Sequence, residues 1–480
     1  MGSEDLADGV TPELGVELLE YSLLRMPIRP QTITIIGAGL NGPLLGLCLA
    51  KRGFPVEIYE RRPDMRRGRV DAGRSINLAL STRGIHALQK AELWDSLRNL
   101  IIPMKGRMMH SIAGELTFQP YGKDEAEVIN SISRADLNVA LMNAAEAQGV
   151  GIHFDQRCVG FELKSGALRL RHEESRRETT VESTVVIGCD GSASAIRNEM
   201  LKLNRFNFSQ QHLDYGYKEL TIPSKPNGSH ALEKHGLHIW PRGNFMLIAL
   251  PNVDGTFACI LFLPFEGPDS FATLTTSSDV VKFFEARFPD VVPLTPHLTD
   301  NYFTNPTGTM VTIKCSPWTV EGRSVLLGDA AHAIVPFFGQ GLNCGFEDCT
   351  QLLELLDRHG ADWPRVFKEF DQARKINTDA IADLAIENFA EMRDRVADPR
   401  FLFRKKVELA LEARHPRLFV PKYAMVTFHR IPYSVALARG AIQDRILTEL
   451  CDQIGRIEDL DWAKAERLIT AQLTPLEQVQ

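Results

Sequence analysis

Gly37-Ala-Gly39-Leu40-Asn41-Gly42 is the first group in this chain whose residue types and spacing imply chemistry. In a strand–turn–helix setting the first glycine permits a tight turn. The second lets the backbone approach a pyrophosphate, and the third lets helix and strand pack closely. A phosphate held there meets unpaired N–H groups at the positive end of a helix. Glu60 follows at the distance, about 20 residues, where a carboxylate accepts ribose hydroxyls. The same carboxylate repels a 2′-phosphate, so the resident dinucleotide is expected to be FAD or NAD and not NADP.

Two further groups decide between these. Gly328-Asp329-Ala-Ala-His332 leads into Pro336-Phe337-Phe338-Gly-Gln-Gly341-Leu342-Asn343, and Gly188-Cys-Asp190-Gly191 stands ahead of Arg197. An acid at a strand end can hold a ribityl hydroxyl. A helix N-terminus can stabilise the flavin N1/C2=O edge, which becomes negative on reduction. Each group alone is a turn with an aspartate; their order and spacing favour FAD.

These groups need a scaffold of strands feeding helices. Residues 32–36 are a β-branched run, 43–51 a compact helix and 56–60 a second strand, and 183–187 and 324–327 read as further strands before glycine turns. Such alternation indicates a parallel sheet. Residues 206–309 change to alternating apolar positions with turn signals such as Asn252-Val-Asp-Gly255, which predicts a mostly antiparallel sheet. Beyond Asp362 the pattern is charged and helical, with Pro399, Pro416 and Pro421 as breaks. Residues 1–30 are expected to be an extension with room for one short helix, Thr11 as its cap and Pro12 at its first position. The expected class is α/β: a discontinuous Rossmann-type FAD-binding domain (31–105, 125–205, 310–360), a substrate domain (106–124, 206–309) and a helical region (361–480).

Composition sets limits on partners. Lys and Arg number 54 against 61 Asp and Glu, a net charge of −7, with no block of like charge, so a nucleic-acid surface is not expected. The eight cysteines contain no Cys-x-x-Cys pair, which argues against a zinc ribbon or a redox pair, and no metal is expected. Cys344 and Cys349 read as buried thiols. Two largely apolar stretches, 32–50 and 245–265, are interrupted by glycine, proline and asparagine, and the second also by Asp254, so neither supplies the ~20 apolar residues of a membrane span. The acidic start and the polar end predict a soluble, cytoplasmic protein without a membrane anchor.

The three motifs, in this order, resemble the single-component FAD-dependent aromatic hydroxylases. The match is nearer to the kynurenine 3-monooxygenase group within them, through Gly73-Arg-Ser-Ile-Asn-Leu-Ala79-Leu, Gly106-Arg107-Met-Met-His, Pro120-Tyr121-Gly, His238-Ile-Trp-Pro-Arg, Ala333-Ile-Val-Pro-Phe-Phe-Gly-Gln-Gly341 and Met425-Val-Thr-Phe. It runs from about Thr32 to about Arg430. The animal members' hydrophobic C-terminal anchor has no counterpart in this sequence.

The resemblance implies bound FAD, transient NADPH and O2. L-kynurenine would be hydroxylated to 3-hydroxy-L-kynurenine through a flavin hydroperoxide. It extends the cofactor set from Gly37, Gly39, Gly42, Glu60 and Asp329 to Leu40, Asn41, Arg61, Arg62, Ala79, Arg134, Asp190, Gly341, Leu342 and Asn343. It places Arg107 and Tyr121 on the substrate carboxylate, with Asn388 and Tyr423 reaching in from the C-terminal helices. Taken alone, Arg107 reads as a solvated arginine, Tyr423 as core and Asn388 as surface. Phe337 and Phe338 could wall the pocket or be core, and His332 reads as structural. Alternatives are a hydroxylase of a modified kynurenine or aminobenzoyl compound, a non-hydroxylating FAD oxidoreductase, and a non-catalytic FAD-binding regulator.

Overall fold

The β-branched run Ile33–Ile36 forms a central strand buried along its whole length. In the computed structural model, which describes residues 31–68, 77–394, 398–452 and 454–477, it pairs in parallel with Val56–Tyr59 on one side and Val185–Gly188 on the other. Gly151–His153, Ser324–Leu326 and a short antiparallel edge strand, Thr319–Val320, complete six strands. Helices Asn41–Ala50, Arg134–Ala147 and Gly341–His359 contribute to one apolar core with this sheet. The expected helix near Thr11 lies outside the described residues, as do Gly73 to Ile76 of the motif ending at Leu80.

A second sheet has seven strands, in the order Thr307–Ser316, Asn207–Ile222, Phe257–Pro264, Met246–Pro251, Gly236–Pro241, Gly106–His110 and Leu116–Pro120. All neighbours are antiparallel except Gly236–Pro241 with Gly106–His110. The apolar stretch 245–265 is two of these strands around the Asn252–Thr256 turn, where Gly255 takes φ +89°. The expected domain boundary at 310 falls inside Thr307–Ser316, because that strand keeps pairing along Asn207–Ile222 before the chain returns to the parallel sheet.

The C-terminal region is helical: Trp363–Asp394, Pro399–Arg414, Lys422–Thr427, Tyr433–Cys451 and Trp462–Gln472. Pro416 follows the end of Pro399–Arg414, whereas three other prolines start helices. Pro399 occupies the first turn behind an Asp398 cap, and Pro421 and Pro432 stand immediately before theirs, where a missing N–H costs nothing. Among the described residues, no helix is long and apolar enough to cross a membrane.

Candidate active site

Strands Ile33–Ile36, Val185–Gly188 and Ser324–Leu326 are adjacent and parallel, so the turns that follow them open at the same sheet edge. Chain order reverses between the first two, and ligands of open α/β sheets bind in the crevice at such a switch point. Gly37 has φ +106°, and a Cβ there would lie 2.4 Å from the Cys189 carbonyl oxygen. A Cβ on Gly42 would lie 2.0 Å from the Gly37 oxygen, whereas one on Gly39 would meet nothing within 4 Å. The first and third glycines therefore serve the turn, and the second faces open space. Leu40 caps the helix without a side-chain bond, leaving its first N–H groups for a ligand.

Glu60 is buried. Its Oε2 accepts from Ala38 N at 2.8 Å, and its Oε1 accepts from Arg62 N at 2.9 Å and Arg62 Nε at 2.8 Å. Burial alone would raise its pKa, but the Arg62 guanidinium and the backbone N–H groups together hold it below the ordinary value. Glu60 is thus an anion with lone pairs remaining, and Arg61 beside it is exposed.

Asp329 opens a short helix, Asp329–His332, after Gly328 at φ +62°. Its side chain reaches solvent, yet the surrounding protein raises its carboxyl above the ordinary value, against the pull of the Arg134 charge. The Arg134 charge is thus near enough to Asp329 to act on its carboxyl. Helix Gly341–His359 starts without a side-chain cap, and a Cβ on Gly341 would meet nothing, so its first N–H groups face open space.

Several cofactor residues also pin the loops. Asn343 Nδ2 donates to the carbonyls of Ala79 and Gly339, both at 2.8 Å, and its Oδ1 accepts from Ser81 N at 2.9 Å. The Asn41 amide lies so close to Gly328 and Gly345 that a Cβ on either would clash with it. Leu342 is core, and Asp190 accepts from Ala195 N at 2.6 Å at the start of the helix Ala195–Met200, which Ser194 caps. These contacts make the three turns one rigid cradle. The open face at Gly39, the uncapped helix starts and the neighbouring Arg134 and Asp329 charges fit a dinucleotide with a ribityl chain.

The substrate end is built from side chains. Arg107 extends from Gly106–His110. The hairpin to Leu116–Pro120 closes with Tyr121 N donating to Lys105 O at 3.1 Å, which sets Tyr121 beside Arg107. The guanidinium carbon lies 5.6 Å from the Tyr121 ring centre and 5.0 Å from that of Tyr423, and these two rings stack at 5.9 Å. Arg107 makes no ion pair within 4 Å among the described residues; its Nε and the Tyr121 hydroxyl are buried without a hydrogen-bond partner. Burial opposes the Arg107 charge, but Tyr423, Tyr121 and Glu391 outweigh it and hold the pKa above the ordinary arginine value. Burial pushes both tyrosines up, so both remain hydroxyls.

Phe338 stacks on Tyr423 at 5.3 Å, and Phe337 stacks on Phe389 at 4.1 Å. Asn388 is buried, and its Nδ2 donates to the Phe337 carbonyl at 2.7 Å. The amide nitrogen therefore supports the wall, and the group left over is Oδ1, an acceptor. Sequence reasoning missed Phe389, Glu391 and Lys405, whose charge bears on Arg107 and which pairs with Glu408 at 2.9 Å. The spacing of Asn388, Phe389 and Glu391 on one helix was the available signal for the first two.

Residues 30–363 match the family model described as an FAD binding domain. The chain is 54% identical over 449 residues to a kynurenine 3-monooxygenase of Myxococcus xanthus, covering 93% of this chain and 96% of that protein. It is 45% identical over 453 residues to one of Xanthomonas euvesicatoria, covering 94% and 99%. Among solved structures, 2-methyl-3-hydroxypyridine-5-carboxylic acid oxygenase superposes with TM-score 0.63 at 19% identity, over 78% of this chain and 96% of that one, a likeness of fold. With this sequence identity, domain match and cradle, the chain belongs to the kynurenine 3-monooxygenase family of FAD-dependent flavoprotein monooxygenases.

Proposed function

We propose that this enzyme hydroxylates L-kynurenine to 3-hydroxy-L-kynurenine with FAD, NADPH and O2. The observation that carries the substrate reading is the buried Arg107 Nε and Tyr121 hydroxyl, both without partners, beside Tyr423. A half-buried guanidinium with no ion pair within 4 Å among the described residues, and with a buried Nε left unbonded, suits a ligand carboxylate, whose charge-assisted bonds are the strong ones. In this reading Arg107 and Tyr121 hold the carboxylate with Tyr423 beside them, and the Asn388 oxygen is left for a donor such as an amine.

The chemistry that FAD supplies when bound is acceptance of a hydride from NADPH and activation of O2 for transfer of one oxygen atom to an aromatic carbon. Gly37, Gly39 and Gly42, with the first N–H groups of Leu40, Asn41 and the helix they open, would hold the diphosphate with Arg134. Glu60 would take the ribose, with Arg61 and Arg62 at the rim. Asp329 would take the ribityl chain, and Ala79, Gly341, Leu342 and Asn343 the isoalloxazine edge. The aniline nitrogen already activates the ring carbon ortho to it, so the protein needs no strong base there. Its tasks are orientation and water exclusion, for which the Phe337, Phe338 and Phe389 rings form an apolar wall.

The test is NADPH oxidation in aerated buffer with and without L-kynurenine, following 3-hydroxykynurenine and hydrogen peroxide together. Stimulation with product equal to NADPH consumed is expected. Stimulation that ends mostly in peroxide would mean that kynurenine only triggers flavin reduction and that the substrate is another aromatic.

A further inference from the structure

Behind the cradle lies a ladder of buried charge that the proposed chemistry does not use. Arg83, His332, Glu347, Asp348 and Arg374 are each at most 4% exposed. Asp348 Oδ2 accepts from Gly328 N at 3.0 Å and from His332 Nε2 at 2.5 Å, and its Oδ1 accepts from Arg374 Nε at 2.7 Å. Glu347 accepts from Arg374 Nη1 at 2.7 Å and from Arg83. Burial opposes a charge on His332, yet the Asp348 carboxylate beside it outweighs burial and holds the imidazole protonated.

The donor atoms of His332, Cys344 and Asp348 lie within 4.8 Å of one another, close enough for a metal ion. A guanidinium already serves that place: Arg374 Nη2 lies 3.3 Å from Cys344 Sγ while its Nε bonds Asp348. Nor does the ladder explain itself as a source of stability, because buried ion pairs are often replaceable by apolar packing at no loss. Apolar packing could not satisfy the Gly328 N–H, a donor in a turn held at φ +62°.

We propose that Asp348 is a positioning residue for the cofactor. Its carboxylate holds both ends of the short helix Asp329–His332, and so aims Asp329 at the ribityl chain. This rests on the reading that Asp329 takes the ribityl. Arg374 and His332 act through Asp348: Arg374 fixes one oxygen from the helix Trp363–Asp394, and His332 closes the far end of the turn on the other. Glu347 is the neighbour that does not touch the turn; it joins Arg374 to Arg83 only.

That difference supplies the experiment. FAD affinity of the FAD-stripped full chain is measured by quenching of flavin fluorescence, alongside thermal unfolding and the visible circular dichroism of bound flavin. Asp348→Asn should weaken FAD binding by about tenfold or more and alter the flavin dichroism, as loss of a charged hydrogen-bond partner does. Glu347→Gln should lower the unfolding temperature as much, yet leave FAD affinity within about twofold. Should Asp348→Asn fail to fold, His332→Leu against His332→Gln asks the same question. Gln keeps a donor to Asp348 and should bind FAD better than Leu. Equal FAD affinities in the Asp348 and Glu347 variants, or in the two His332 variants, would overturn the proposal. Lack of FAD binding by the unaltered chain would instead sink the reading beneath it.

Discussion

Arg107 and Arg374 are both enclosed by protein, and they are treated in opposite ways. Arg374 bonds Asp348 and Glu347 and the Cys344 carbonyl, with both carboxylates buried beside it. Arg107 has two tyrosine rings, a more distant Glu391 charge and a buried Nε that meets no acceptor. A fully paired buried cation belongs to the architecture; one left wanting an acceptor is kept for a ligand. Arg374 is the deeper of the two, fully buried where Arg107 is half-buried, yet depth alone does not say what each is for. The partner list does.

The largest expected effect tests the paired case. Arg374→Met leaves two buried carboxylates without their shared cation. Unfolding free energy should fall by about 3–5 kcal/mol, the usual cost of breaking a buried pair from one side. Urea denaturation of the holoprotein at pH 7.5 measures this. A loss under about 1 kcal/mol would mean the ladder is dispensable.

Glu412 shows a third way to treat a buried charge. It is 2% exposed, its Oε1 has no hydrogen-bond partner, and Lys123 Nζ stands 3.8 Å off. Burial first, then Glu127, pushes its carboxyl from 4.5 to about 7, and the group settles by taking a proton. The folded state therefore binds more protons than the unfolded chain between those values, so this group's contribution to stability falls as pH rises from about 4.5 to about 7. Glu412→Gln should remove that slope and stabilise the protein at pH 8 by at most about 3 kcal/mol. Urea midpoints of both proteins at pH 5 and pH 8 check it; parallel midpoints would mean Glu412 is ionised throughout.

Next in size is the unpaired cation itself. Arg107→Met should raise the Michaelis constant for L-kynurenine by one to two orders of magnitude, for charge-assisted bonds worth about 1.5–3 kcal/mol. FAD content should stay the same, and stability should change far less than in Arg374→Met. A large stability loss with an unchanged Michaelis constant would erase the contrast between the two arginines.

The same contrast explains what the sequence made legible. The turn at Gly37 to Gly42 and the Gly328-Asp329 turn were readable because strand, glycine and helix follow one another within a few residues, and backbone geometry dictates the residue types. The parallel sheet and the antiparallel run through 206–309 were legible for the same reason. The ladder was not. Arg83 meets Glu347 across 264 residues, and charged residues on amphipathic helices read as surface until the packing is known. The prolines at 399 and 421 read as breaks because a proline that ends one element and one that begins another look alike in sequence. Arg107, Asn388 and Tyr423 come from three separate elements, and family context alone brought them together; it could not reveal that the Asn388 amide nitrogen is engaged by Phe337.

The smallest effect refines the comparison most finely. Removing a hydroxyl normally destabilises a protein when that hydroxyl is bonded, yet the Tyr121 hydroxyl is buried and bonds nothing in the free protein. A buried polar group without a partner carries its desolvation cost with no return. Tyr121→Phe should therefore leave the stability of the ligand-free enzyme unchanged or slightly raised. Its cost should appear only when substrate is present, as a loss of about 0.5–1.5 kcal/mol, a rise in the Michaelis constant from about twofold to about tenfold. The ring is retained, so its stacking on Tyr423 and its contact with Arg107 persist, and the measurement isolates the oxygen. A variant less stable without substrate but unaltered in Michaelis constant would show that the hydroxyl serves the fold, and Tyr121 would then belong with Arg374 on the architectural side.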